Sequence, residues 1–290
     1  MRYVKNRMYI GDYVIYFIIA LFSFLCLFPF LYVVSVSFTA PEVYAPLKFI
    51  IFPEVFSLKS YAYIMSTKSF IRSMNNSIWI AVVGTVLSII VTFTGAYGLS
   101  KSRMPGYKTM VSLITFTLVF NAGIVPNYML IRTLGLMNNF WALVLPGLTN
   151  AWSLLVVRSF MASIPSELEE SAKIDGGTDL NVFFQIIIPL SKAALATFTL
   201  FFVVAYWNSF FNIMLYTTST DRWTLPLLIK SMVIDNESMG FGVTATDERT
   251  VPQETIKMAA IVLSMVPIIV VYPFLQKYFQ KGVMLGSIKG

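Results

Sequence analysis

The sequence predicts an all-α integral membrane protein with six transmembrane helices. Two observations carry this. Of the 290 residues, 57% are hydrophobic and only 12% are charged, against roughly 25% charged in a soluble domain. The apolar residues also gather into six stretches, each near the ~20 residues that a helix needs to cross a bilayer. A net charge of +7 then reads as topology rather than nucleic-acid binding, because no loop interleaves a basic run with aromatics.

Residues 1–12 form a cytoplasmic N-terminal segment with Arg2, Lys5 and Arg7, and residues 13–290 form one membrane domain. The first span is 13–38, longer than the ~7–15 apolar residues of a signal-peptide core. A mixed loop with Pro41, Pro46 and Pro53 leads to the second span, 77–99. The third, 109–131, is interrupted by Gly123 and Pro126, and the fourth, 140–157, contains Pro146-Gly147. Residues 158–190 form a polar loop. The fifth span is 193–216, followed by a long polar loop from Thr217 to Thr255, and the sixth is 256–275 with Pro267 and Pro273. Internal prolines break backbone hydrogen bonds and kink helices; ordinary bends and hinges both fit them.

Orientation follows from lysine and arginine, which concentrate on the cytoplasmic side. Lys101, Arg103 and Lys108 crowd the short turn after the second span. That places both termini, this turn and the loop 158–190 in the cytoplasm.

Several chemistries are excluded or disfavoured. A single cysteine, Cys26, permits no internal disulfide and no cysteine-based metal site. Histidine is absent, which removes the commonest general base and metal ligand; no metal site is expected. No G-x-x-x-x-G-K-[ST] loop is present to cradle nucleotide phosphates, and no cofactor is expected in this chain. The spans as drawn hold no ionisable residue in their central portions, where ion-coupled carriers usually place them.

The most informative stretch is Ser166 to Leu190, SELEESAKIDGGTDLNVFFQIIIPL. Ser166 with Glu169 has the spacing of a capping box, and Gly176-Gly177 supplies a C-cap. Glu169 and Lys173 can pair at i,i+4. Leu168, Ala172 and Asp175 share one face. Asp175 falls where the helix dipole disfavours an acid, so it calls for a partner outside the helix. Pro189 ends a second short amphipathic piece.

EESAKIDGG followed by FFQIIIPL resembles the EAA loop of ABC importer permeases, whose pattern is E-A-A-x-x-x-G, nine residues, I-x-L-P. Glu170, Ala172, Asp175 and Gly176 match the first half, and Ile186, Ile188 and Pro189 the second. Ser171 stands for the first alanine and Ile188 for leucine. NAGIVPNYMLIRTLGLMNNFWALVLPGLTNAW is similar to the third and fourth spans of the carbohydrate-uptake class, and AYWNSFFN to its Trp-Asn-centred motif in the fifth span. The ending KYFQKGVMLGSIKG resembles the tail of the maltose-permease-G type.

The resemblance implies the type I importer permease fold and a non-catalytic subunit of the bacterial plasma membrane. The implied partners are a second, homologous permease, two ATPase subunits that bind ATP and Mg, an extracellular solute-binding protein and an oligosaccharide substrate. Glu170, Ala172, Asp175, Gly176 and Pro189 would couple the chain to an ATPase. Trp223 and Phe241, in the long outer loop, would meet the binding protein.

A substrate path is expected along Tyr206, Trp207, Asn208, Phe211 and Asn212, since ring faces beside a few orienting amides suit a polyhydroxyl ligand. In a continuous helix Trp207 and Phe211 would form an aromatic row at i,i+4, and Asn208 and Asn212 an amide row. The competing reading is that the amides bond between helices and the rings simply pack. Two other classes stay open at this point, an ion-coupled secondary carrier and a membrane subunit that does not transport.

Overall fold

The computed structural model describes residues 10–45, 50–234 and 253–286, with side chains of the last segment described for 254–273. The described residues are helical throughout their regular structure, apart from one isolated β-bridge between Thr39 and Phe56. They fall into two compact units. One contains α1 (Ile10–Ser37), α2 (Lys59–Ser66) and the start of α14 (Gln253–Gly286); the other runs from Ser69 through α13 (Leu225–Ile234) and includes α14 from Ser264.

In the first unit α1 (Ile10–Ser37) is apolar on every side, and its most apolar window buries nothing within the chain. A helix that is hydrophobic all round needs an apolar surrounding, which a bilayer supplies. Its C-terminal end is tied down. Ser37 Oγ and Tyr61 Oη share a hydrogen bond of 2.7 Å, and Thr39 Oγ1 donates to the Ser35 carbonyl at 2.8 Å. Phe38 stacks on Phe56 at 5.1 Å, and Lys59 pairs with Glu42. Tyr61 and Lys59 lie on α2 (Lys59–Ser66), a helix within what sequence places in a mixed loop.

In the second unit α3 is the organising element. It runs over Lys68–Ser100, about 50 Å at 1.5 Å per residue, and starts nine residues before the predicted span. Gly84, Ser88, Thr92 and Ala96, one turn apart, are all buried. Small residues at helical spacing let neighbouring backbones approach closely in membrane proteins. Polar ties supplement this: Thr92 Oγ1 donates to Thr149 Oγ1 at 2.9 Å, and the Leu225 amide donates to Ser77 Oγ at 2.8 Å.

The spans that follow are broken, at and near the interruptions that sequence marks at Gly123 and Pro126 and at Pro146-Gly147. α4 (Tyr107–Val119) and α5 (Ile124–Thr133) meet at 117°, and α6 (Trp141–Gly147) and α7 (Ala151–Ala162) at 46°. Gly123, at φ +85°, precedes α5, and Asn121 Oδ1 accepts from its amide at 2.8 Å. Asn150 caps α7, its Oδ1 accepting from the Ser153 amide at 2.8 Å. Pro126 sits in the first turn of α5, where its missing N–H costs nothing, so the break belongs to 120–123 rather than to the proline. Pro146 ends α6, whereas α14 (Gln253–Gly286) continues through Pro267 and Pro273.

α8 (Ser166–Ile174), α9 (Asp179–Val182), a π-helical turn (Phe183–Ile187) and α10 (Ile188–Leu190) build the polar loop. α11 (Lys192–Trp207) leaves this segment at 81°. The fifth span then breaks at 208–210 and resumes as α12 (Phe211–Tyr216). What sequence reads as a long polar loop after Thr217 includes α13 (Leu225–Ile234), an apolar helix with Leu225, Leu227 and Leu228 buried. α1, α3 and the Glu254–Pro273 part of α14 are long and apolar enough to cross a membrane. Counting each bent pair as one span raises the number among the described residues to six.

Candidate functional site

α8 begins one position earlier than a capping box requires. Its N-cap is Pro165, and Ser166 is already helical, with no side-chain capping bond. Glu169, the expected partner of Ser166 and of Lys173, instead pairs with Lys101 at the end of α3. Lys101 also lies 4.5 Å from the Tyr97 ring centroid. Lys173 turns to Asp179, 2.7 Å away. That hydrogen bond and the opposite charge hold the Asp179 carboxyl below its ordinary range and the Lys173 ammonium above its own. Arg158, the first residue of the loop as sequence draws it but still within α7, donates from Nε to the Leu99 carbonyl at 2.9 Å. The loop is thus fastened at two points to one end of α3.

The C-terminus of α8 matches the sequence reading and sharpens it. Asp175 is the C-cap. The Gly176 amide donates to the Lys173 carbonyl at 3.1 Å and the Gly177 amide to the Ala172 carbonyl at 2.8 Å, which is the paired bonding of a Schellman motif. Gly176 adopts φ +85°, with open space around it. Gly177, which the motif does not single out, has the tighter constraint: a Cβ there would lie 2.7 Å from the Ala172 carbonyl oxygen.

This cap folds the loop back on itself. Ala172, Asp175 and Gly176 line one exposed cleft with Asn181, Gln185 and Ile186 from the second half of the motif. Glu170 borders a neighbouring polar cleft with Lys101, Arg103 and Glu169. Pro189 lies apart from both, exposed at the end of the segment. Its ring cannot accept a tight turn behind it, and the wider π-helical turn immediately precedes it. Leu168, Ile174, Leu180 and Phe184 are exposed, Ile174 at 86%. The side chain of Asp175 has no partner among the described residues.

The expected path residues divide. Tyr206 and Trp207 are buried, 7% and 5% exposed. Tyr206 fills a slot between Gly84 and Gly147, sharing a hydrogen bond with Ser88 Oγ at 3.0 Å and donating to the Val144 carbonyl at 3.3 Å. Asn208, Phe211 and Asn212 are exposed. The aromatic and amide rows do not form, because the helix ends at Trp207. Asn208 Nδ2 donates to the Val204 carbonyl at 2.9 Å, and the Ser209 carbonyl, freed by the break, accepts from Thr224 Oγ1 at 3.3 Å. Asparagine and serine compete in this way with helical bonding.

At the other end of α3, Arg72 pairs with Asp221, and Asn76 Nδ2 donates to the carbonyls of Asp221 and Trp223, both at 2.9 Å. Trp223 is half-buried there. Asn138, at φ +57°, accepts on Oδ1 from the Thr218 amide at 2.7 Å and gathers the same region; sequence gives no hint of that role. Phe241 lies outside the described residues. Among those described, no group of three or more His, Cys, Asp or Glu side chains could hold a metal.

Broken apolar spans around a long central helix, with a capped polar loop fastened to one end of it, define a membrane-embedded transport subunit. The comparisons identify which. The chain is 40% identical over 288 residues to the polygalacturonan/rhamnogalacturonan transport system permease protein YtcP of Bacillus subtilis, covering 99% of this chain and 100% of that one. It is 41% identical over 262 residues to protein LplC of the same organism, covering 90% and 89%. A solved chain of a bacterial ABC transporter involved in the import of the acidic polysaccharide alginate superposes with a TM-score of 0.87 at 31% identity, covering 94% of this chain and 100% of that one. No protein-family model matches the sequence. The chain belongs to the permeases of bacterial ABC importers for oligo- and polysaccharides, and it is a membrane protein.

Proposed function

We propose that this chain is the non-catalytic membrane permease of a binding-protein-dependent importer that carries an oligosaccharide into the cell. ATP and Mg are bound by two separate ATPase subunits, and a second, homologous permease completes the path. The chain lies in the plasma membrane with its termini and the loop 158–190 in the cytoplasm, as the Lys and Arg distribution favours.

The observation that carries this reading is the exposed cleft where the two halves of the loop meet. Ala172, Asp175 and Gly176 sit there beside Gln185 and Ile186, next to uncovered apolar side chains. An ATPase subunit that covers this surface satisfies Asp175 and buries Ile174 and Leu180. Its movement reaches the spans through the Glu169–Lys101 pair and the Arg158 bond to α3. Glu170 and Pro189 flank the docked surface. Asn208, Phe211 and Asn212 face the sugar, while Tyr206 and Trp207 form the wall behind them. Trp223, and Phe241 beyond the described residues, meet the solute-binding protein.

Docking is tested with a photo-crosslinker on the single thiol that Asp175→Cys introduces into a Cys26→Ser chain, within the assembled complex. An adduct with the ATPase subunit is expected from that position, and none from Thr218→Cys at the other end of α3. No adduct from position 175, or equal adducts from both positions, overturns the docking.

A further inference from the structure

No residue of α1 before Ser35 is buried, and then Ser35, Val36 and Ser37 all are. The stretch 50–58, IIFPEVFSL, is folded back onto this end of the helix. Ser35 Oγ donates to the Ile51 carbonyl. The Ala40 amide donates to the Val55 carbonyl and the Ser57 amide to the Phe38 carbonyl, both at 2.8 Å, on either side of the bridge between Thr39 and Phe56. Although its backbone is pinned in this way, the stretch leaves five large apolar side chains uncovered. Ile51, Phe52, Val55, Phe56 and Leu58 are exposed, Phe52 at 82%. A cluster of that size marks a surface that meets something apolar.

The depth of α1 says what. From Tyr13, the first apolar residue after Asp12, about 20 residues cross the hydrocarbon core, which brings its far side to Tyr32. The usual tilt of ~20° moves that limit by only about one residue. Ser35 and Ser37 then stand about 5–8 Å further on, within the headgroup layer. Whatever is bonded to them lies at the same level. Glu54 is the one carboxylate in the stretch, and the Lys59–Glu42 pair borders it; charge of this kind belongs at headgroup depth and not below it. Residues 235–252 lie outside the described residues and carry Asp235, Glu237, Asp247, Glu248 and Arg249, which makes them a poorer cover for five apolar side chains than lipid is.

We infer that residues 51–58 are a second membrane contact, a wedge whose Ile51, Phe52, Val55, Phe56 and Leu58 enter the boundary between headgroups and acyl chains. The leaflet is the one opposite the N-terminus, the outer one in the orientation proposed above. Apolar side chains held at that boundary bind a lipid surface without spanning it. The wedge fixes the end of α1 to the bilayer.

The test attaches the fluorophore NBD to the single thiol of Phe52→Cys in a Cys26→Ser chain, within the assembled complex in phosphatidylcholine vesicles. Expected are a blue-shifted emission, a loss of emission with lipids spin-labelled near the top of the acyl chain that exceeds the loss with lipids labelled near its end, and little loss with aqueous iodide. Phe24→Cys, in the middle of α1, should reverse the order of the two lipids. Val55→Cys repeats the measurement should Phe52→Cys fail to assemble. Quenching by iodide without quenching by lipid would place the wedge in water and overturn the inference. Protection from both quenchers would show a protein cover, whether residues 235–252, the second permease or the binding protein, and would overturn it equally. Either result leaves the importer reading standing, because the wedge requires only that α1 crosses the bilayer; iodide quenching at Phe24→Cys would overturn that span and the wedge together.

Discussion

Gly177→Ala abolishes sugar import while the chain remains in the membrane; this is the largest single effect expected in the loop. The added Cβ would stand 2.7 Å from the Ala172 carbonyl oxygen, and backbone cannot swing aside as the tip of a side chain can. The 2.8 Å bond from the Gly177 amide to that carbonyl would be lost, and with it the reversal that brings Asp175 beside Gln185. Gly176 is constrained differently. Its φ of +85° disfavours a side chain, but the space around it is open. Gly176→Asn should therefore be mild, since asparagine tolerates the left-handed region, and Gly176→Ala intermediate, at a cost of roughly 1–2 kcal/mol. Uptake and substrate-stimulated ATP hydrolysis, each normalised to the amount of chain in the membrane, check this order. Normal uptake in Gly177→Ala would refute the account of the cap.

Gly84→Ala should damage the chain itself rather than its coupling. A Cβ at position 84 would meet the Tyr206 ring at 2.7 Å. The ring is buried, and its hydroxyl is engaged with Ser88 and the Val144 carbonyl, so it has little room to retreat. Overpacking of this kind costs about 1–3 kcal/mol. Tyr206→Phe, which loses only the hydroxyl bonds, should cost about 0.5–1.5 kcal/mol. Because the two residues touch, Gly84→Ala with Tyr206→Leu should be less destabilised than the two single changes predict. Thermal unfolding of the detergent-solubilised complex measures all of these. An unchanged midpoint in Gly84→Ala would show that the slot is loose.

The contrast between these glycines marks what the sequence makes legible. Apolar stretches are local properties, so the membrane class could be read directly, whereas the loop drawn from Arg158 begins inside α7, which runs to Ala162. The helix end at Gly176 is local in the same way as the apolar stretches and was legible. Partners distant along the chain were not: nothing near Glu169 reveals that Lys101 takes it from Ser166 and Lys173. The slot around Tyr206 joins Gly84, Gly147 and Ser88, and only packing assembles it. The breaks had a local signal that was open to a second reading. Asn121, Asn150 and Asn208 look like polar lining, yet each serves a helix end. Asparagine and serine beside glycine or proline mark chain breaks as readily as they mark a path. That ambiguity drew the fifth span as one helix and gave Trp207 and Phe211 a shared face they do not have.

The most direct measurement is accumulation of a labelled oligosaccharide, delivered by its solute-binding protein, in proteoliposomes holding this permease, its partner permease and the ATPase subunits. The account predicts accumulation that requires ATP and every subunit and that persists when proton and sodium gradients are collapsed. Accumulation by this chain alone, driven by an imposed ion gradient without ATP, would contradict it.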